Sequence, residues 1–420
     1  MIPRPESRRL TNGLDVCILP WRRAPVVATA LVYRAGTMDE AVEHGGTAHF
    51  LEHMMFKGTV SRGPGELDRL TRALGGSNNA YTSHDLTLYY FTLAADRWQN
   101  ALELERDRME FLRLDPAEVD SERGVILEEL AMYEGEPWDA LDRASGNEFF
   151  KLRQGGLHPY GCPVLGDRES LARIDAGVLG SFYRARYIPS NAVLTVVGDV
   201  DVESAFDDVS RWFDSLPSAA PEPRNRPQTV VPTGIRRVER RHGDMERLLV
   251  SLPAPPGDDL DHPVLKLLTT ILASGRSSRL HRALVDEGAL CVWVSADANE
   301  TLAGSSLQLA CEVLPGADRH RVELEMLRML DELRHEPPTQ AEIERARQIV
   351  LSDWVSGHER VDQLAFLFAS SQALWSIDHP RQYLQRLQDA GSEDLLRVAG
   401  RYLDVEAGSV IAWSLPRNGA

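Results

Sequence analysis

The sequence predicts an α+β protein built from two structurally similar domains. Segments with strand-like alternation and segments with helical spacing follow one another along the whole chain. A proline-rich stretch at residues 216–232 divides the chain and is predicted to be an extended linker. After this linker, strand, loop and helix recur in the same order as before it. The alternative is that this shared order is a coincidence. We therefore expect a first domain at 1–215 and a second at 233–420.

Composition indicates a globular protein and opposes nucleic-acid binding. The 420 residues are 43% hydrophobic and 26% charged, as in a globular protein with a sizeable core. The 63 acidic residues exceed the 46 lysines and arginines and give a formal charge of −17. This balance opposes phosphate binding, so no nucleic-acid partner is expected. It would favour cationic ligands if the charges cluster, and the alternative is a well-solvated acidic surface.

Cysteine usage and hydropathy bear on the compartment. The four cysteines are scattered and form no Cys-x-x-Cys pair, so neither a disulfide framework nor a thiolate metal site is predicted. No run approaches the roughly 18 apolar residues of a membrane span, and the N-terminus has no apolar targeting core. We expect a soluble, cytoplasmic chain without a membrane span. The periplasm is the alternative if a signal peptide has been removed.

The elements of the first half follow from periodicity and turn residues. Alternating apolar residues predict the strands, helical spacing of leucines and aromatics predicts the helices, and Gly75-Gly76 ends one of them. The predicted strands are 16–20, 26–33, the stretch 77–92 and 192–197, and the predicted helices include 96–112, 116–134 and, in the main, 171–187.

The motif His49-x-x-Glu52-His53 is the most informative stretch. Spacings of three and four residues place its three polar side chains on one stripe of a helix. Apolar residues cover the other directions, so the helix should be buried, and buried ionisable groups need a partner. Two imidazoles one turn apart can reach one zinc ion, while a neighbouring carboxylate can hold and deprotonate its water. The alternative is an ordinary polar contact on a helix.

A second helix carries an unusual pair of carboxylates. Asp115 is predicted to cap the helix over 116–134, followed by a proline at its first position. Glu122 and Glu129 are seven residues apart and lie within about 20° in azimuth on a partly apolar stripe. The alternative is that this stripe is solvated and that the buried face carries Val125, Leu127 and Leu130.

The second half repeats the frame of the first without its polar motif. With a shift of 217 residues, Lys266, Thr269 and Thr270 stand at the three positions of the His-x-x-Glu-His motif. A capping box at 339–342 opens a long helix that runs to about residue 355. The other elements predicted in this half are a helix at 263–272 and strands at 247–252, 291–296 and 305–313.

These residues carry a family likeness. His49-x-x-Glu52-His53, followed 76 residues later by Glu129, resembles the insulinase/pitrilysin family of inverted zincins, which are zinc metallopeptidases. The likeness covers nearly the whole chain in order, with the length of the short bacterial and processing-peptidase members. Its further motifs are Gly75-Gly76, Asn79-Ala80-Tyr81-Thr82-Ser83, His158-Pro159-Tyr160-Gly161 and Tyr187-x-Pro189-x-Asn191.

The resemblance implies a site and an activity. His49, His53 and Glu129 would ligate one zinc ion per chain and leave a fourth position open, as catalytic zinc requires. Glu52 would be the general base that activates water, and Glu122 a supporting carboxylate. The implied enzyme is a metalloendopeptidase, a hydrolase acting on peptides or unfolded segments. The implied fold is two similar α+β domains, each an antiparallel sheet backed by helices.

The resemblance also implies how substrate binds. Asn79 and Ala80 lie where the family presents a strand to an extended peptide, so backbone pairing would supply affinity. The alternative for Asn79 is an ordinary residue of a turn or strand end.

One departure from the family bears on partners. Many active members carry an arginine and a tyrosine seven residues apart in the second half, and the tyrosine stabilises the oxyanion. Val285 and Val292 occupy those places here, and losing such a donor typically costs about 3 kcal/mol, roughly a hundredfold in rate. We therefore expect a heterodimer or larger assembly with a homologous subunit that lacks the zinc motif and bears the pair. The alternatives are a slow self-sufficient enzyme or an alignment shifted by a few residues.

Two other functions are compatible with a metal helix. One is a non-catalytic, zinc-binding scaffold subunit of a peptidase-like complex, although scaffold members of the family usually lose ligands that this first half retains. The other is a structural-zinc protein, which conflicts with an open coordination position and with a base at Glu52.

Overall fold

The computed structural model describes residues 3–224 and 226–417 and divides into two compact units. Each unit combines three separate segments of the chain. The first contains Met1–Leu130, Pro163–Asn225 and Val355–Arg381, and the second contains Ala131–Cys162, Arg226–Trp354 and Gln382–Ala420. These units differ from the predicted contiguous domains 1–215 and 233–420 by two exchanged segments, 131–162 and 355–381.

The described part of the chain contains eleven strands and fourteen α-helices. The strands are β1 (Glu6–Arg9), β2 (Asp15–Pro20), β3 (Val26–Tyr33), β4 (Ser77–Thr82), β5 (Thr87–Ala94), β6 (Ala192–Gly198), β7 (Gly234–Arg241), β8 (Arg247–Pro253), β9 (Cys291–Ala298), β10 (Ser306–Val313) and β11 (Gly408–Leu415). The helices are α1 (Thr47–Met54), α2 (Glu66–Ala73), α3 (Gln99–Phe111), α4 (Pro116–Gly135), α5 (Pro137–Phe149), α6 (Arg168–Arg173), α7 (Ala176–Arg186), α8 (Val202–Phe213), α9 (Asp261–Ala273), α10 (Arg319–His335), α11 (Gln340–Gly357), α12 (Val361–Leu374), α13 (His379–Asp389) and α14 (Ser392–Tyr402).

The first unit is organised around a six-stranded sheet in the order β1-β2-β6-β3-β5-β4. Its neighbours run antiparallel except β2 and β6, which are parallel. Alternate residues of the central strand β3 point to opposite faces. Leu31 and Tyr33 join the core that contains Phe50 and Leu51 of α1. The alternate residue Ala30 is also fully buried, because α12 packs against β3 and β6.

The second unit repeats this arrangement. Its sheet has the order β7-β11-β8-β10-β9, which matches β2-β6-β3-β5-β4 strand for strand. The single parallel pair, β7 with β11, occupies the place of β2 with β6. The predicted α+β fold of two similar domains with antiparallel sheets is confirmed, and each sheet additionally contains one parallel pair.

The exchanged segments supply one covering helix to each sheet. In the first unit α12 packs against β3, β5 and β6. In the second unit α5 packs against β7, β8 and β11, where Leu141 is buried with Leu249 and Ala412. The compact units therefore cut across the sequence halves, because each sheet takes a covering helix from a distant segment of the chain.

Most predicted elements are present, with differences in detail. The stretch 77–92, predicted as strand throughout, is two antiparallel strands joined by a turn in which Ser83 N–H donates to the carbonyl of Leu86. The stretch 171–187 is divided between α6 and α7. Among the described residues between Phe213 and Gly234 there is no helix or strand, as expected for the proline-rich linker. In residues 3–224 and 226–417, no helix combines the length and apolarity needed to cross a membrane.

Candidate metal and catalytic site

Helix α1 places the His-x-x-Glu-His motif inside the first unit. The helix starts after Gly46, whose φ of 94° is left-handed and whose added Cβ would lie 2.7 Å from the carbonyl oxygen of Leu165. The carboxylate of Glu40 accepts hydrogen bonds from the amides of Gly46 (2.8 Å) and Ala48 (2.7 Å), and so satisfies donors at the start of the helix. These contacts fix the N-terminal end of α1, which precedes His49, Glu52 and His53 in the sequence.

Three potential metal ligands converge on one point. His49 and His53, one turn apart on α1, have ring centroids 4.7 Å apart. Glu129 of α4 brings Oε2 to 3.7 Å from His49 Nε2 and 3.5 Å from His53 Nε2. One donor atom from each of the three residues lies within 4.8 Å of the others. This is the one group of three or more His, Cys, Asp or Glu side chains with metal-binding geometry among the described residues.

The geometry and chemistry of this cluster fit zinc. Donor atoms about 2.1 Å from a tetrahedral zinc ion are about 3.4 Å from one another, close to the separations of Glu129 Oε2 from both imidazoles. Burial, and then the neighbouring His53, lower the pKa of His49 to about 3, so its ring is neutral and can ligate. Two imidazoles and one carboxylate leave a tetrahedral position without a protein ligand, which is the donor set of catalytic zinc.

Glu122 lies directly behind one ligand. Its side chain is 6% exposed, and Oε1 is 2.8 Å from His53 Nδ1, while Lys57 forms an ion pair with Oε2. Burial opposes ionisation, but the bonds from Lys57 and His53 prevail and lower the pKa of Glu122. A carboxylate at Nδ1 holds the proton there and directs the Nε2 lone pair towards the metal position.

Glu52 stands beside the ligands on α1 and is held by a neighbouring strand. Thr82 at the end of β4 donates a hydrogen bond from Oγ1 to Glu52 Oε2. Burial raises the pKa of Glu52, which brings the carboxylate closer to the range in which it can accept and release a proton near neutral pH. The other carboxylate oxygen has no hydrogen bond to a described residue in the structure, and could accept one from a water molecule.

Asn79 and Ala80 lie on β4, which forms one edge of the first sheet. The strand pairs with β5, where Asn79 faces Tyr90 and Ala80 faces Tyr89. The Ala80 amide donates to the side-chain oxygen of Asn79 at 2.9 Å, in place of a neighbouring strand. An edge strand with such a donor can pair with an added extended peptide.

The structure therefore brings together five of the predicted residues: the two histidines, Glu52, Glu122 and Glu129. Asn79 and Ala80 belong to the strand that holds Glu52. Two contributors, Lys57 and Thr82, were missed. The position of Lys57, four residues after His53 and just beyond the end of α1 at Met54, could have indicated the first. The bond from Thr82 joins residues 30 positions apart, and no local pattern reports it.

The corresponding place in the second unit holds no such group. Lys266 of α9 forms an ion pair with Asp297 at 2.7 Å, and the hydroxyls of Thr269 and Thr270 donate to the carbonyl of Lys266. Hydroxyls bonded to the helix backbone and an ammonium group offer no metal-binding set.

The positions of the expected arginine and tyrosine are apolar in the structure as in the sequence. Val285 is partly buried against the second core, and Val292 is 46% exposed on the edge strand β9. Neither side chain can donate a hydrogen bond.

Comparison with known proteins matches two family models to successive parts of the chain. Residues 18–159 match a family model described as insulinase (peptidase family M16), and residues 173–350 match one described as the peptidase M16 inactive domain. An uncharacterized zinc protease of Mycobacterium leprae is 31% identical over 328 residues, or 76% of this chain and 72% of that protein. The zinc protease PqqE of Helicobacter pylori is 26% identical over 415 residues, or 96% of this chain and 90% of that protein. The crystal structure of a protease from Helicobacter pylori has a TM-score of 0.90 at 26% identity and covers 99% of this chain and 100% of its own.

Proposed function

Because the chain belongs to the insulinase family of peptidases, family M16, we propose that it is a zinc-dependent endopeptidase that hydrolyses peptides or unfolded segments. The observation that carries this proposal is the convergence of His49, His53 and Glu129 on one point beside Glu52. These three residues would hold one zinc ion per chain. When bound, the metal supplies Lewis-acid polarisation of the attacking water and of the scissile carbonyl.

Glu52 performs the proton transfers. Its raised pKa suits a group that must first take a proton from the attacking water and then give it to the leaving amine. Thr82 occupies one carboxylate oxygen, so the proton moves through the other. Glu122 and Lys57 take no part in proton transfer, and they orient His53 through its Nδ1.

The outer edge of β4 binds the substrate backbone. The Ala80 amide is satisfied by the Asn79 side chain in the absence of a peptide, and an incoming carbonyl can replace that partner. Backbone pairing requires an extended chain and makes little demand on side chains. Peptides and unfolded segments meet that requirement, whereas folded proteins do not.

A homologous partner subunit completes the active site. Val285 and Val292 stand in place of the family's arginine and tyrosine and leave the oxyanion without the side-chain donor that the tyrosine supplies, a deficit of about 3 kcal/mol. A second chain with that pair and without the zinc motif would restore it. Addition of candidate partner chains should raise peptide cleavage about a hundredfold, and full activity of the isolated chain with no gain on mixing would contradict the heteromer.

The principal test replaces Glu52 by Gln in zinc-loaded protein, with Glu66→Gln on α2 as a control of the same charge and size change. Cleavage of fluorogenic peptides and zinc content are measured on the chain alone and with the partner. We expect all three proteins to bind zinc. Only the wild type and Glu66→Gln should cleave the peptides. Unchanged cleavage by Glu52→Gln would refute the mechanism. Zinc without cleavage in any mixture would favour the non-catalytic scaffold subunit.

A further inference from the structure

Thr82 connects β4, the strand proposed to bind the substrate backbone, with Glu52, the proposed general base. Its side chain is buried at the end of β4 and points towards α1, whereas the preceding residue, Tyr81, is 51% exposed. Its Oγ1 donates to Glu52 Oε2 and lies 3.4 Å from Thr87 Oγ1. The hydroxyl of Thr87 donates to the carbonyl of Ala35 at 2.8 Å. Of the two oxygens near the Thr82 hydroxyl, the carboxylate is both the nearer and the charged one, and it receives the single proton.

We propose that Thr82 is a positioning residue that fixes the carboxylate of Glu52 for proton transfer, an inference that rests on the proposed function. A glutamate side chain has three rotatable bonds, and those of Glu52 are limited on one side by α1 itself. Holding Oε2 at Thr82 restricts these rotations and so limits the directions in which Oε1 can point. Misplacement of a catalytic group by about 1 Å costs on the order of a hundredfold in rate.

The position of Thr82 on β4 gives this contact a second consequence. Ala80, the proposed substrate-pairing residue, lies two residues earlier on the same strand, and both are held by pairing with β5, Ala80 with Tyr89 and Thr82 with Thr87. The same six-residue strand therefore sets the position of the peptide backbone and of the base relative to one another. Loss of the Thr82 hydroxyl should change the rate of the bound complex, kcat, and leave KM nearly unchanged.

A purely structural role of Thr82 makes a different prediction. Valine has the same branched shape and fills the same volume, so it would replace threonine without loss if the residue only packs against α1. Serine keeps the hydroxyl and loses the methyl group, so it would be the more damaging change for packing. The order of the two variants therefore separates positioning from packing.

The test uses the zinc-loaded full chain, with its partner if the wild type requires one for cleavage. Thr82→Val and Thr82→Ser are compared with Thr29→Val, a control on β3 in which the buried hydroxyl has no hydrogen-bond partner in the described structure. We expect Thr82→Val to lower kcat about tenfold to a hundredfold with KM within about twofold, and Thr82→Ser and Thr29→Val to remain near the wild type. Zinc content should be equal in all four proteins, and all four should remain folded at the assay temperature.

A crystal structure of zinc-loaded Thr82→Val gives a readout that does not depend on activity. We expect the Glu52 carboxylate to leave its wild-type position while His49, His53 and Glu129 keep theirs. Wild-type kcat and an unmoved carboxylate in Thr82→Val would overturn the inference, as would equal losses in Thr82→Val and Thr82→Ser. Cleavage that survives in Glu52→Gln would instead refute the proposed function, so the two failures are distinguishable.

Discussion

Replacing Glu122 by Gln isolates the contribution of the carboxylate behind His53. Glutamine keeps the length and shape of the side chain and can still accept a hydrogen bond from His53 Nδ1. It removes the negative charge that strengthens the 2.8 Å contact with Nδ1 and that the ion pair with Lys57 requires. Because the side chain is 6% exposed, water cannot replace the lost charge.

The expected magnitude follows from these contacts. Loss of a carboxylate partner of a metal-bound histidine typically weakens metal binding about 10-fold to 100-fold. That range corresponds to about 1.4–2.7 kcal/mol. We expect the upper part of this range for Glu122→Gln, since the change also leaves the Lys57 ammonium without its carboxylate partner at the same site.

Zinc affinity is measured by competition with a fluorescent chelator at constant pH. The matched control is Glu128→Gln, which makes the same change six residues later on the same helix, at an exposed position. We expect Glu128→Gln to bind zinc within about twofold of the wild type, because exposed charges are screened. Equal affinities of Glu122→Gln and the wild type would refute the assigned role of this carboxylate.

Two further predictions concern stability. Arg108 and Glu105 form a bidentate ion pair whose side chains are each 1% exposed. Arg108→Ala should therefore lower the free energy of unfolding, measured in urea, by about 3–5 kcal/mol. A smaller loss for Arg108→Ala than for the double replacement of both residues by apolar ones would contradict this. Glu342 receives two bonds from Arg279, and that pairing lowers its pKa to about 2. Because the folded pKa is depressed, its stabilisation is present above the unfolded value of about 4.5 and is lost as the pH falls towards 2. Glu342→Gln should therefore cost about 1 kcal/mol at pH 7, after allowance for solvent screening, and almost nothing near pH 2; a loss that is the same at both pH values would refute the assignment.

Local periodicity was sufficient to predict the frame of the site. The spacing within His49-x-x-Glu52-His53 fixes its side chains on one stripe of α1, whatever the rest of the fold does. On α4 the sequence left two faces open, and the structure buries part of each: Glu122 and Ile126 of one face and Leu130 of the other are buried, while Val125 is 47% exposed. Val119 and Ile126 show that the carboxylate stripe faces the core up to residue 126, whereas Tyr133 near its end is 44% exposed.

Local sequence patterns did not predict the tertiary contacts. An amphipathic helix shows which of its faces is buried, but it does not show against which sheet, so the exchange of α5 and α12 between the units has no local signature. The meeting of Glu129 with the histidines was implied by the family resemblance and not by spacing. The contact of Thr82 with Glu52 depends on the approach of β4 to α1, which no residue near either one specifies.

The most direct test of the catalytic assignment is a crystal structure of the zinc-loaded protein with anomalous data at the zinc edge. We predict one zinc ion per chain bound by His49, His53 and Glu129 at about 2.0–2.2 Å, with no fourth protein ligand and with Glu52 within hydrogen-bonding reach of the open position. A fourth protein side chain on the metal, or zinc bound away from these residues, would contradict the proposal that this is a catalytic centre.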